Sequence, residues 1–390
     1  MLAGIVFWIS LVALVWVYIG YPVTVAFLAR THPVRPERTN EAPSLTIAIA
    51  VHDEADHIAD RIEDALAQAT SGARIEEVLV GSDGSTDETE AIVAAMAAQD
   101  PQVRLLSLER GGQTATQAAL FAAARGDVVV LTDAETLFEP GCLAALAEAL
   151  RDPRVGCATG RLEWRDERAT ATSTQEGLYW RYERRVRELE SRAGVLTAVT
   201  GALLAVRRVM YRPVPLTASM DHLLPLYVRE VGGLVVYVPG AIATDRPISG
   251  LREQFRNRTR TATRGIRANL SMVGKLAPWR HPGPALAIWS HKLLRWATPW
   301  FIALLAISGL WLGTLGGSPA YLAAPIAVGI GALLAGLAHL IIATGRRPPR
   351  IIAFARSFAV VNTAFALGWL NVLRGREIEV WHRAEFRIEG

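Results

Sequence analysis

Acidic residues follow short apolar runs at three places in this 390-residue sequence: His52-Asp53-Glu54, Ser82-Asp83-Gly84-Ser85-Thr86-Asp87 and Asp133-Ala134-Glu135. A carboxylate at the end of a strand can accept hydrogen bonds from a ribose or a nucleobase. Two carboxylates spaced like Asp133 and Glu135 can hold Mg2+ or Mn2+, hard cations that take oxygen ligands and bridge to a diphosphate. Such a metal would offset the charge gathering on a departing nucleoside diphosphate. Taken singly, each cluster could be a cap or a turn: Asp53 or Asp56 as an N-cap, Ser85-Thr86-Asp87 as a capping sequence, Asp133 as the start of a turn. Brought to one crevice they would repel one another unless a cation or a donor-rich ligand compensated. Together these parts suit transfer from a nucleotide sugar.

The elements that must position these acids form an α/β region from Ser44 to about residue 243. Residues 45–51, 78–80, 103–107 and 128–131 are short, apolar and β-branched, while 56–68 and 86–98 have the pattern of amphipathic helices. Their alternation predicts a mainly parallel sheet with crossover helices. Ligands of such sheets bind outside the carboxyl ends of the strands, where the acids stand.

The flanks differ in kind. The chain is 51% hydrophobic, which points to lipid. Residues 2–28 carry almost no charge and exceed the roughly 20 residues that cross a bilayer. The apolar stretch is too long for a signal peptide and lacks a basic start and a cleavage site, so a retained anchor is expected. Arg30, Arg35 and Arg38 follow it, which puts that end in the cytoplasm under the positive-inside rule. Three more apolar stretches, 293–315, 321–344 and 351–373, are linked by an uncharged Gly316-Gly317-Ser318-Pro319 and a basic Gly345-Arg346-Arg347-Pro348-Pro349-Arg350. The last is interrupted by Arg356 and Asn362; it either spans or lies along the interface, and spanning is the preferred reading. The two cysteines, Cys142 and Cys157, form neither a disulfide framework nor a CxxC metal spacing. The formal charge is only +4, and with no nucleic-acid motif the clustered arginines point to a membrane surface.

On these residues the stretch from Ser44 to about residue 266 resembles a family 2 glycosyltransferase of the bacterial envelope-polysaccharide type. Ala50-Val51-His52-Asp53-Glu54 resembles its "AYNEE" strand end, with Asp53 where Asn is usual; Ser82–Asp87 matches "SDGSTD"; Asp133-Ala134-Glu135 stands at the "DxD" position. Gly177–Glu183 and Thr200–Arg208 are also similar to this family. The resemblance implies a GT-A fold, an α/β domain with a Rossmann-like mixed sheet, flanked by transmembrane helices. It implies that Glu54, Asp83, Gly84 and Asp133 bind the nucleotide of a UDP- or GDP-sugar, and that Asp133 and Glu135 hold the metal. Gly201 and Ala202 would line the acceptor side. The family's "ED" pair is Met220-Asp221 here, so Asp221 is the expected general base of an inverting transfer, with a helix cap before His222 as the plainer alternative. Gln113 stands where the family often has lysine. Asn257–Thr261 lacks the Gln and Trp of the processive enzymes' "QxxRW", so single addition is expected.

Residues 254–279 form a basic amphipathic segment in which Arg258 or Arg260 could clamp a diphosphate while other arginines meet anionic headgroups. Ser290–Trp296 reads as an interfacial anchor with His291 at headgroup level. The expected plan is an anchor at 1–30, a cytoplasmic catalytic domain at 44–245, interfacial helices at 250–290 and transmembrane helices at 293–373. The whole would be a multi-pass protein of the cytoplasmic membrane acting on a lipid-linked or polysaccharide acceptor. The competing readings are a sugar-nucleotide-binding subunit without turnover, and a small channel or transporter, which the lack of a buried ionic pathway beyond Arg356 disfavours.

Overall fold

Two helices open the chain. α1 (Leu2–Val15) and α2 (Tyr21–Thr31) are joined without a break by a π-helical turn, Trp16–Gly20. α1 contains no charge and no proline, and its apolar residues run all the way round, the pattern of a helix surrounded by apolar material. This computed structural model describes residues 1–164, 171–245, 251–315 and 317–376. Gly316 of the uncharged link, residue 250, the tail beyond Arg376 and the side chains of 177–180 lie outside that description.

The α/β region runs β1 (Leu45–Val51), α3 (Ile58–Ala67), β2 (Ile75–Asp83), α4 (Thr89–Gln99), β3 (Val103–Leu108), α5 (Gln113–Ala123), β4 (Val128–Thr132), β5 (Leu137–Phe138), α6 (Cys142–Ala149), β6 (Val155–Trp164), α7 (Ala171–Arg192), β7 (Leu204–Arg207), α8 (Met220–Glu230) and β8 (Leu234–Asp245). The strands form one sheet in the order β3-β2-β1-β4-β7-β6-β8-β5. β1 is parallel to β2 and β4, and β2 to β3. β7 runs antiparallel to β4 and β6, β8 parallel to β6, and β5 antiparallel to β8. The sheet is therefore mixed.

β1 is buried at every residue, as a strand covered on both faces must be, and it agrees with its sequence run end to end. β2 extends beyond residues 78–80 at both ends, because its polar start is satisfied by partners remote in sequence. Buried Glu77 accepts the Thr46 hydroxyl at 3.0 Å and the Arg125 amide at 2.7 Å, and pairs with Arg104. Ile47, Ile49, Val78, Val80, Val128 and Val130 pack with Ile58 and Ile62 of α3 and Leu143 and Leu146 of α6 in the main core.

The remaining helices are α9 (Leu251–Met272), α10 (Pro282–Ala287), α11 (Leu294–Trp296), α12 (Thr298–Leu315), α13 (Ala323–Ala343) and α14 (Arg350–Leu373). The basic segment thus stops being helical at Met272, before its first proline. The chain divides into two units: a sheet unit with β1–β8, α3–α6 and α8, and a helical unit with α1, α2, α7 and α9–α14. In the helical unit Leu2–Thr31, Thr298–Leu315, Pro319–Ala343 and Arg350–Leu373 are each long and apolar enough to cross a membrane. Ile5, Trp8, Ile307, Leu333 and Phe354 stand exposed on them, consistent with membrane association. α9 packs along α14, where Ala262 and Ile266 meet Phe365 and Trp296.

His291 is not at a headgroup surface. With Ser290 and Lys292 it lies on a second π-helical turn, Ile288–Leu293, and it is buried with Arg295. His291 Nδ1 sits 2.7 Å from Glu190 Oε1, and Arg295 Nη1 donates to Glu183 Oε2 at 2.6 Å. The Tyr21 hydroxyl donates to Glu190, and Trp16 Nε1 donates to Ser290 Oγ at 3.0 Å, so the two π-helical turns meet. Burial would raise the Glu183 carboxyl, but Arg295 and His291 outweigh it and hold the group well below the usual carboxylate range. The anchor expectation fails because two glutamates of α7 supply partners that a sequence window around residue 291 cannot reveal.

Candidate active site

Strand register gathers the acidic clusters. Val51 lies opposite Ser82 and Ile49 opposite Thr132, so residues 52–54, 83–87 and 133–135 all leave the sheet from the carboxyl edge of β1, β2 and β4. Asp53 adopts φ +53°, the one positive φ outside glycine among the described residues. Asp and Asn both tolerate that left-handed conformation, which accounts for the exchange of one for the other here. The turn is tied across: Asp53 N donates to Ser85 Oγ, Thr86 N to Asp53 Oδ1 at 2.7 Å, and Glu54 N to Thr89 Oγ1 at 2.8 Å. Glu54 itself is half-buried.

Asp83 is 1% exposed, and its carboxylate accepts the amides of Gly111 at 2.7 Å and Gly112 at 2.9 Å, with Arg110 Nε 3.6 Å away. Its visible work is thus to tie β2 to the Gly111-Gly112 turn that opens α5. Gly84 has φ +63°, and a Cβ there would lie 3.1 Å from the Arg110 amide, so both conformation and space require glycine.

Asp133 is half-buried and Glu135 exposed. Burial pushes the Asp133 carboxyl up to about 7, with Asp245, Asp221 and Glu135 adding to the rise and Arg61 opposing it. Four carboxylates therefore share one electrostatic neighbourhood. Asp221 lies in the first turn of α8, with His222 Nδ1 3.1 Å from its Oδ1. It is not the cap: Ser219 holds that position. A Cβ built on Gly201 would fall 3.3 Å from Asp221 Oδ2, so the Gly201-Ala202 turn lies directly against this carboxylate. Ala202 is buried beside it in sequence. The structure thus brings Asp133, Glu135, Asp221 and Gly201 to one place.

Asp245 is the acid that the sequence reading left out. It ends β8, and β5 pairs with β8 through Leu137–Thr244 and Phe138–Ala243, which delivers Asp245 to the loop carrying Asp133 and Glu135. The signal available was an acid at the end of the apolar run Ala241-Ile242-Ala243. Arg258 and Arg260 belong to α9 of the helical unit, where Arg260 Nη2 donates to Asn257 Oδ1 at 2.7 Å.

Among the described residues, no three His, Cys, Asp or Glu side chains form a complete metal site. The donor chemistry fits a different kind of site, in which Mg2+ or Mn2+ takes one or two carboxylates and completes its shell from a diphosphate and water.

Residues 46–213 match the family model described as Glycosyl transferase family 2. An N-acetylglucosaminyltransferase of Rhizobium leguminosarum bv. viciae is 25% identical over 228 residues, 55% of this chain and 53% of that protein. The succinoglycan biosynthesis protein ExoO of Rhizobium meliloti (strain 1021) is 36% identical over 116 residues, 30% of this chain and 32% of that protein. The chain spans about half the length, or less, of these curated relatives. Among solved structures, the mannosyltransferase PcManGT from Pyrobaculum calidifontis, in complex with GDP-Man and Mn2+, shares the fold with a TM-score of 0.66 at 20% identity. The match covers 95% of this chain and all of that one.

Proposed function

We propose that this chain, whose residues 46–213 match the glycosyl transferase family 2 model, transfers a sugar from a UDP- or GDP-sugar to a membrane-associated acceptor with inversion at the anomeric carbon. The acceptor is a lipid-linked saccharide, a glycolipid or an envelope polysaccharide. The observation that carries this reading is the meeting of Asp133, Glu135, Asp221 and Asp245 at the carboxyl edge of the sheet, with Gly201 against Asp221.

Glu54, Asp83 and Gly84 form the nucleotide side; Asp83 acts there through the Gly111-Gly112 turn that it fixes. Asp133 and Glu135 would hold a divalent cation on the donor side. Bound there, Mg2+ or Mn2+ would neutralise charge developing on the leaving diphosphate. Asp221 accepts the proton of the acceptor hydroxyl as that oxygen attacks, and His222 at 3.1 Å orients its carboxylate. The Gly201-Ala202 turn, which lies against Asp221, borders the acceptor side. The apolar helices keep the enzyme at a membrane, and Arg30, Arg35, Arg38, Arg346, Arg347 and Arg350 put the sheet unit on the cytoplasmic face.

The test uses the full-length protein in lipid nanodiscs with Mn2+, a panel of UDP- and GDP-sugars, and polyprenyl-linked saccharides as acceptors. At least one donor should release its nucleoside diphosphate, and EDTA should stop the release until Mn2+ is restored. Tight binding of a donor with no turnover under any condition would sink the catalytic reading in favour of a binding subunit.

A further inference from the structure

The loop that carries Asp133 and Glu135 is held at both ends by one face of α3. Arg61 is 0% exposed. Its Nη1 donates to Asp64 Oδ2 at 2.6 Å, its Nη2 to Thr132 Oγ1 at 3.2 Å and its Nε to the Asp133 carbonyl at 3.3 Å. Asp64 Oδ2 in turn accepts the Phe138 amide at 3.0 Å, and the Arg61 guanidinium lies 4.1 Å from the centre of the Phe138 ring. In the turn that follows α3, Gln68 Nε2 donates to the Phe138 carbonyl at 3.4 Å. Residues 61 and 64 stand one turn apart on a single face of α3.

Burying a guanidinium carries a large desolvation cost, and an apolar side chain would fill the same volume at lower cost. What the arginine adds is a rigid fork that reaches separate targets at fixed angles. Its targets are Thr132 and Asp133, where the loop begins, and Asp64, which holds Phe138, where the loop ends. The arrangement constrains the loop, and Arg61 meets Asp133 at its backbone carbonyl.

We propose that Arg61 and Asp64 are positioning residues, an ion-paired bracket that fixes both ends of the 132–138 loop so that Asp133 and Glu135 meet a divalent cation in one geometry. This rests on the reading that those two acids hold the donor's metal. Outer partners of metal ligands typically govern affinity by about 10–100-fold, and the bracket belongs to that class.

The experiment compares the full-length parent with Arg61→Met, Arg61→Lys and Asp64→Asn. Mn2+ binding is read from the electron paramagnetic resonance of free Mn2+ at fixed GDP or UDP, and exchange of the 132–143 amides is read by mass spectrometry. Arg61→Met should raise the Mn2+ concentration for half-saturation about tenfold or more and speed exchange at Phe138, with no comparable change in nucleotide binding without metal. Asp64→Asn should move both readouts less in the same direction, and Arg61→Lys should recover part of the Mn2+ affinity. A folded Arg61→Met protein with parental Mn2+ binding overturns the proposal. Should Arg61→Met not fold, Asp64→Asn, whose side chain is 20% exposed, decides in the same way. A parent that binds no Mn2+ with either nucleotide overturns the functional reading instead, and the exchange measurement then still decides whether Arg61 and Asp64 hold the loop.

Discussion

Replacing Gly201 by alanine tests whether Asp221 works as a placed base. The added methyl would stand 3.3 Å from Asp221 Oδ2 and 3.4 Å from its Cβ and Cγ, against about 3.5–4.0 Å for a relaxed contact. The carboxylate must give way by roughly a third of an ångström. A misplacement of 1 Å at a reacting centre costs about 10²-fold, so a third of that costs roughly fivefold in kcat, or about 1 kcal/mol. Folding should not suffer in step. Gly201 lacks a positive φ, so alanine is compatible with its backbone and restricts the unfolded chain, worth about 0.4–1 kcal/mol in the stabilising direction. The assay pairs initial rates of nucleoside diphosphate release under saturating donor with a melting curve of the same preparation. The expected pattern is kcat down, donor KM unchanged and melting temperature not lowered. In an Asp221→Asn background the same alanine should cost nothing further, since residues acting through one another are not additive. Parental kcat in Gly201→Ala would refute the reasoning, as would an equal loss in the Asp221→Asn background.

Asp221→Asn alone is expected to lower kcat by about 10²–10⁴-fold, the range for a lost general base, with melting temperature retained; parental turnover would remove Asp221 from the mechanism. In the sheet unit, the Arg154 side chain foremost holds buried Asp152 at about 2, below its ordinary 3.8. A depressed carboxyl stabilises the fold above about pH 4, by about 2 kcal/mol here, and loses that contribution as pH falls through about 2. Asp152→Asn should therefore lower stability at neutral pH and flatten the acid limb between pH 4 and 2, read by melting curves across pH. In the helical unit, Glu183→Gln leaves the buried Arg295 guanidinium without its carboxylate and should destabilise by about 3–5 kcal/mol. Adding Arg295→Gln should recover part of the loss, and an unchanged melting temperature in nanodiscs would show that the buried pair is not needed.

The legible parts of the fold were those that a short window contains. β1 is a seven-residue run of apolar residues, and being covered on both faces it needed no alternation to be found. β6 and β8 were not legible: Gly156, Cys157, Gly160 and Glu163 in one, Pro239 and Gly240 in the other, break the strand pattern, and both are strands because they pair with each other. The site divides in the same way. Asp83, Asp133 and Asp221 sit in motifs, whereas Asp245 becomes part of the carboxylate group only through the β5–β8 pairing. Arg61 looked like one charge on an amphipathic helix, since nothing local says that it points inward. His291 was misjudged for the same reason in reverse: basic and aromatic neighbours in sequence resembled a headgroup anchor, and its partners Glu183 and Glu190 lie more than 100 residues away.

The joined π-helical turns also set an order of events during synthesis. Trp16 and its acceptor Ser290 are separated by 274 residues. At roughly 5–20 residues per second, the first helix exists for about 14–55 s before Ser290 is made. Over that interval a helix apolar on every side, with its backbone hydrogen bonds satisfied internally, can persist alone in an apolar surrounding. The charged members of the network, Glu183, Glu190, His291 and Arg295, are all made later. Thus the segment that waits longest brings only a tyrosine hydroxyl and an indole N–H to the contact, while every buried charge arrives when a partner is already present or soon to follow.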